Sequence, residues 1–272
     1  MKIAYYIKKQ DLRADAGVLS LLDTLRSGGA LLYELKDASD LQDGTDLLLS
    51  FGGDGTYLSA AHRVAEAGIP ILGVNLGRLG FLSEYRLQDV AGPVLEGSWT
   101  IEERDMLRVA VEGVDIPSIW PYALNEVSLH RADAEMVGVD VCVGEERLPA
   151  YWADGVLIAT SSGSTAYSLS AGGPICTPDA RVRLLTPVAP HNLNLRPLAF
   201  PCERVVTLSG RARSGHLTLT LDNRSYDIPA NRIVRVDGAP FGLKRVRLGK
   251  SNFIDALRSR FFWGQDVRNQ AE

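Results

Sequence analysis

The segment Asp46-Leu47-Leu48-Leu49-Ser50-Phe51-Gly52-Gly53-Asp54-Gly55-Thr56-Tyr57-Leu58-Ser59-Ala60-Ala61 decides how the rest of the chain is read. An almost unbroken apolar run, Asp46–Phe51, ends in three glycines wrapped around one aspartate, and a helix-like stretch follows from Tyr57. A strand apolar on both faces belongs in the middle of a parallel sheet covered by helices. The turn at its carboxyl end, Gly52 through Thr56, then falls on the edge where such sheets bind ligands. Glycines admit positive φ and let a ligand approach the main chain, and free amides at a helix start favour anions. Phosphate is the natural guest. A carboxylate in that loop repels phosphate unless it accepts a proton or holds a metal ion, although Asp54 would equally serve as a turn former or a helix N-cap.

The flanking sequence keeps the same rhythm. Lys2–Ile7, Leu31–Leu35 and Ile69–Val74 read as strands, Tyr57–Ala67 as a helix, and Ala16–Arg26 as another with Val18, Leu19, Leu22 and Leu25 on one face. Alternating strand and helix predicts a parallel sheet. Near residue 100 the texture changes. Leu107–Val111, Leu124–His130, Val137–Val143, Val156–Ala159, Val205–Ser209, Leu217–Leu221, Ile233–Val236 and Lys244–Leu248 read as strands. Several alternate with a period of two, the mark of antiparallel strands with one wet face. One helix-like segment, Thr165–Ala171, interrupts them, and Asn252–Trp263 is helical again. The expected division is an α/β domain over 1–99, completed by 250–272, and a β-rich domain over 100–249.

The chain has 272 residues, 46% of them hydrophobic, enough for two cores. Its 29 basic and 33 acidic side chains are interspersed and leave a net charge of −4, which argues against a nucleic-acid or anionic-membrane surface. No apolar stretch suits a signal peptide or a membrane span, so a cytoplasmic protein is expected. Cys142, Cys176 and Cys202 lack metal-site spacing and read as reduced thiols; no protein metal site is expected.

Two phosphate motifs are excluded. Gly73–Gly80 follows a strand but lacks the dinucleotide glycine spacing and reads as a second flexible loop. Gly242 stands seven residues before Gly249-Lys250-Ser251, too far for a P-loop, so that stretch reads as a strand and a helix cap at Ser251 or Asn252.

Two further polar concentrations stand out. In Ala153–Ile175 a strand runs into a cluster of serine, threonine and glycine, and then into a short helix stopped by Gly172-Gly173-Pro174. Its hydroxyls and amides suit a ribose, a base edge or a phosphate, and Tyr167 offers an aromatic face; it also reads as a capped Ser/Thr-rich loop. Asn125-Glu126 sits inside a strand pattern whose period turns one of the two inward, toward a ligand, unless the pair lies on an edge strand.

Gly52-Gly53-Asp54-Gly55-Thr56, Asn125-Glu126, and Asp154-Gly155 followed by Gly163-Ser164-Thr165-Ala166-Tyr167-Ser168-Leu169-Ser170-Ala171-Gly172-Gly173-Pro174 together resemble the ATP-dependent NAD kinases. Asn75-Leu76-Gly77, Leu79-Gly80-Phe81-Leu82 and Thr186–His191 extend the resemblance over nearly the whole chain. It implies a Rossmann-like α/β domain and a sandwich-like antiparallel β domain. It also implies transfer of the γ-phosphoryl group of ATP, with Mg²⁺ or another divalent metal, to the 2′-hydroxyl of the adenosine ribose of NAD. Asp54 would then accept the proton, with Gly52, Gly53, Gly55 and Thr56 around the phosphates. By the same resemblance NAD falls to Gly55, Asn125, Glu126, Asp154, Ser162, Thr165, Ala166, Tyr167, Ser168, Leu169, Ser170 and Ala189. Arg224 would lie near the product's 2′-phosphate, and the family works as homodimers or homotetramers.

One departure is visible. Family members usually read Thr-Pro-Thr-Gly-Ser-Thr where this chain has Thr160-Ser161-Ser162-Gly163-Ser164-Thr165. Ser162 keeps a hydroxyl, while Ser161 in place of proline frees one φ angle, an effect of at most ~1 kcal/mol that predicts altered affinity or metal response rather than lost activity. Two rival readings remain: a lipid kinase of the diacylglycerol type, which shares the Gly-Gly-Asp-Gly-Thr loop, and a non-catalytic NAD(P) sensor.

Overall fold

A computed structural model describes residues 1–77, 80–114, 120–249, 253–261 and 263. The chain divides into two compact units, 1–103 with 243–272, and 104–242.

In the first unit the central strands form because their residues are apolar on both faces: Leu47–Phe51 and Ile71–Asn75 are buried throughout. The sheet runs 31–34, 2–7, 47–51, 71–75, 243–248, 99–104, and the pairings from 31–34 across to 243–248 are parallel. Leu243–Leu248 lies beside Ile71–Asn75, which places the strand expected in the β-rich domain in the α/β unit instead. The unit boundaries therefore fall at 103/104 and 242/243 rather than at 99/100 and 249/250. Helix Ala16–Ser27 is capped by Asp15, whose side chain accepts from the Gly17 and Val18 amides, and it buries Val18, Leu21, Leu22 and Leu25. Leu19, expected on that face, is 46% exposed. The C-terminal helix spans Phe253–Phe261; its expected caps, Ser251 and Asn252, lie outside the described residues.

Among the described residues the strand pairings of the second unit are antiparallel. One sheet runs 146–147, 137–143, 206–211, 233–238, 107–111, 122–123; the other runs 198–201, 182–188, 155–160, 126–131, 216–221, 224–229. A single apolar core joins them as a sandwich, with Val139, Val141 and Leu208 from one sheet and Leu129, Val156, Ile158 and Leu219 from the other. Strands such as His216–Leu221 alternate as expected. Gly155–Thr160 does not: every residue is buried, because it is central in its sheet and both its faces are covered.

Candidate active site

In the first unit the glycine loop is shorter than the sequence suggests. The helix begins at Asp54, not near Tyr57, because the Thr56 and Tyr57 amides already donate to the Gly53 carbonyl at 2.9 and 3.1 Å. Gly53 is the N-cap residue, so Asp54 caps nothing and sits in the first turn, where a negative charge suits the helix dipole. Gly52 has φ +144°, a conformation open to glycine, and a Cβ there would meet the Thr56 hydroxyl at 2.5 Å. Gly53 and Gly55 are exposed and have open space where a side chain would stand.

The Asp54 carboxylate holds the second loop. Oδ2 accepts the Phe81 amide at 2.8 Å, and Oδ1 accepts the Leu82 and Ser83 amides at 3.0 and 2.9 Å. Gly80 passes so close that a Cβ would lie 1.9 Å from Oδ1, so only glycine fits there. Asn75 anchors the same loop, its Nδ2 donating to the Ser83 carbonyl and its Oδ1 accepting from the Gly77 amide. The stretch read as a flexible loop is thus pinned at both described ends; Arg78 and Leu79 lie outside the described residues.

In the second unit both Asn125 and Glu126 are buried, at 8% exposure each, rather than one of them turning inward. Their amides, with that of Leu124, donate to the Asp222 carboxylate at 2.8, 3.2 and 2.9 Å. Asp222 itself sits in a left-handed turn, φ +52°. Burial, and then the Asp222 charge, push Glu126 from its ordinary 4.5 to about 8 against the Tyr167 amide that favours its anion. Glu126 Oε2 is enclosed with no hydrogen-bond partner among the described residues.

The hydroxyl-rich block folds onto this pair. Gly163 packs against Asn125 so tightly that a Cβ would lie 2.0 Å from its carbonyl oxygen. Thr160 Oγ1 donates to the Leu124 carbonyl and accepts from the Gly163 amide. The expected helix Thr165–Ala171 is a 3₁₀ turn, Ser162–Thr165, and a short helix, Tyr167–Ser170, broken at Ala166. Not every hydroxyl faces outward. Ser168 is fully buried against Thr186 Oγ1 at 3.0 Å, whereas Thr165, Ala166 and Leu169 are half-buried, and Tyr167 and Ser170 are exposed. The Tyr167 ring stacks on His130 with centroids 5.7 Å apart. Burial lowers His130 below its ordinary range, opposed by Asp154. Asp154 pairs with Arg131 at 2.8 Å and donates its amide to Val188, next to Ala189, whose φ of +46° is unusual for a non-glycine residue.

Two predicted residues behave differently from expectation. Arg224 is turned into the unit, donating to the Trp120 and Tyr122 carbonyls and lying over the Trp120 ring at 5.0 Å. Ser161, in the proline position, is buried and donates to the Pro178 carbonyl at 3.0 Å, an anchor that offsets its freer φ. Ser162 accepts a long 3.4 Å contact from Arg104. Sequence reading missed Asp222, visible only as the aspartate in the turn Leu221-Asp222-Asn223-Arg224 between two alternating strands. It also missed Phe81–Ser83 as partners of Asp54.

A carboxylate clamped beside open glycines at the end of a parallel sheet, with a buried amide–carboxylate pair under a hydroxyl-rich turn in a β-sandwich, fits a phosphotransferase that acts on a nucleotide. Two family models match: the ATP-NAD kinase N-terminal domain over residues 9–96 and the ATP-NAD kinase C-terminal domain over residues 124–248. The chain is 39% identical over 264 residues to an NAD kinase of Porphyromonas gingivalis, covering 96% of this chain and 85% of that one. It is 38% identical over 235 residues to an NAD kinase of Flavobacterium psychrophilum, covering 85% and 80%. The fold matches the yeast NADH kinase complexed with NADH, TM-score 0.85 and 24% identity over 98% of this chain and 89% of that one. It also matches an NAD kinase from Archaeoglobus fulgidus in complex with ATP, TM-score 0.78 and 24% identity over 95% and 99%. The chain belongs to the ATP-NAD kinase family.

Proposed function

We propose that this chain is an NAD kinase that transfers the γ-phosphoryl group of ATP, supplied as its magnesium complex, to the 2′-hydroxyl of the adenosine ribose of NAD. The observation that carries the chemistry is Asp54, fixed by three amides beside exposed glycines. A carboxylate has about four lone-pair sites; three are taken, and the fourth, on Oδ2, is left for a hydroxyl. A ribose hydroxyl is far too weak an acid to be deprotonated in advance, so Asp54 orients it and takes its proton late, as the bond to phosphorus forms. The bond from the γ-phosphorus to the bridging oxygen breaks, and its electron pair leaves with ADP. Gly52, Gly53, Gly55 and Thr56 leave room for the phosphates.

The metal would arrive on the donor's phosphates, since Mg²⁺ is usually held by one or two carboxylates together with substrate phosphates. Asn125, Glu126, Asp154, Ser162, Thr165, Ala166, Tyr167, Leu169, Ser170 and Ala189 would recognise NAD. Ser168 would support the turn from inside, and Arg224 would support the 120–122 segment. Assembly as a homodimer or homotetramer and a cytoplasmic site of action complete the proposal; no described helix is long and apolar enough to cross a membrane.

The discriminating assay offers labelled ATP with NAD and diacylglycerol side by side. Label in NADP is expected; label in the lipid alone would establish the lipid kinase instead, and label in neither would leave only the sensor.

A further inference from the structure

The first unit contains a buried ionic cluster that the chemistry above does not use. Arg245 pairs with Glu84 and lies 3.7 Å from Glu102; Arg247 is 3.1 Å from Glu102 and 3.8 Å from Glu84; Arg260 is 3.9 Å from Glu84. Among the described residues, three guanidinium groups face these two carboxylates. Arg245 and Arg247 make the closer pairings, and Arg260, from the C-terminal helix, makes the longest. Its Nε and Nη1 atoms are buried without a hydrogen-bond partner among the described residues.

The position of Arg260 indicates what the charge serves. The guanidinium lies over the Phe81 ring, 4.5 Å from its centroid, and Phe253 and Phe261 of the same helix pack on that ring at 6.1 and 5.2 Å. The Phe81 amide donates to Asp54 Oδ2, the oxygen with the open lone pair. Arg260 also lies within electrostatic reach of Asp54. We propose that Arg260 is a positioning residue for Asp54: its cation holds the Phe81 ring, and through it the loop whose amides orient the carboxylate. The inference rests on Asp54 being the proton acceptor. It also gives the return of the C-terminus to the first unit a role in catalysis.

The test compares Arg260→Met, Arg260→Lys and Phe81→Ala with Asp54→Asn in a coupled NADP assay, with thermal melts as a check on folding. Arg260→Met removes the cation over Phe81 and leaves Glu84 paired with Arg245 and Glu102 with Arg247, so the fold should survive. Its kcat should fall about 10- to 100-fold, the scale of a small misplacement of a catalytic group, with KM for NAD unchanged. Lysine, which keeps the charge over the ring, should restore most of the turnover, and Phe81→Ala should reproduce the methionine loss. Wild-type kcat in Arg260→Met, a loss confined to KM, or a loss that follows melting and is not rescued by lysine would overturn the inference. If Asp54→Asn is itself fully active, the reading of Asp54 fails instead.

Discussion

The two units use the same device, once each. Asp54 gathers the amides of Phe81, Leu82 and Ser83, and Asp222 gathers those of Leu124, Asn125 and Glu126, in both cases three consecutive N–H groups on one carboxylate. The settings differ. Asp54 is half-buried between exposed glycines, while the Asp222 carboxylate is enclosed, and burial raises its pKa against three amides and Arg224. The same three-amide clamp thus serves two settings, a half-exposed carboxylate proposed to take a proton and an enclosed one that acts as a structural rivet. In the second unit the effect passes to the neighbour: burial, and then the enclosed Asp222 charge, favour a proton on Glu126, which would make that carboxyl a hydrogen-bond donor in the proposed NAD site.

The contrast can be broken at the rivet. Asp222→Ala leaves three enclosed amides without acceptors, and unfolding should become easier by about 3 kcal/mol or more, read from denaturant curves followed by tryptophan fluorescence. A loss below ~1 kcal/mol would show that Asp222 is no rivet.

The glycines give a matched pair. Gly80→Ala drives a methyl into the Asp54 carboxylate and should lower kcat on the order of 10²-fold, with NAD affinity kept. Gly163→Ala drives one into the Asn125 carbonyl and should raise KM for NAD instead. Equal effects of the two on the same constant would erase the division of labour between the units.

Protonation sharpens the comparison further. The folded chain keeps the Glu126 proton up to about pH 8, whereas the unfolded chain releases it near 4.5. Across that window the unfolded state binds fewer protons, so this group's contribution to stability falls as pH rises and levels off above about 8. Glu126→Gln should therefore show a flatter melting temperature from pH 5 to 9 than wild type, and parallel curves would refute the assignment.

The smallest effect is expected at Ser161. Its φ of −58° already suits proline, so Ser161→Pro gains from a stiffer unfolded chain about what it loses with the Pro178 contact, and stability should shift by less than ~1 kcal/mol.

Local pattern made much of this visible, and the limits are instructive. Lys2–Ile7, Leu107–Val111 and Val137–Val143 stand as strands where hydrophobic alternation or continuity places them. Val182–Val188 escapes such reading because it carries buried Arg183 and an interior Pro187. That proline is tolerated beyond Leu185, the last residue paired with 198–201, where no neighbour on that side needs its missing N–H. Asp54 is legible from its glycines. Its partners are not, since Phe81 stands 27 positions away and Asp222 stands 97 from Asn125, separations across which no local period carries information. Which hydroxyls of the 162–170 turn face inward was also illegible, because Ser168 owes its burial to Thr186 on a strand that composition does not reveal.

The central claim, that the first unit supplies the chemistry and the second the acceptor, is tested most directly by Asp54→Asn, with kcat measured from NAD and Mg-ATP and NAD binding measured by calorimetry. Turnover should fall by about 10²- to 10⁴-fold while NAD affinity stays at the wild-type value. Turnover near the wild-type rate, or a loss of NAD binding in step with turnover, would contradict it.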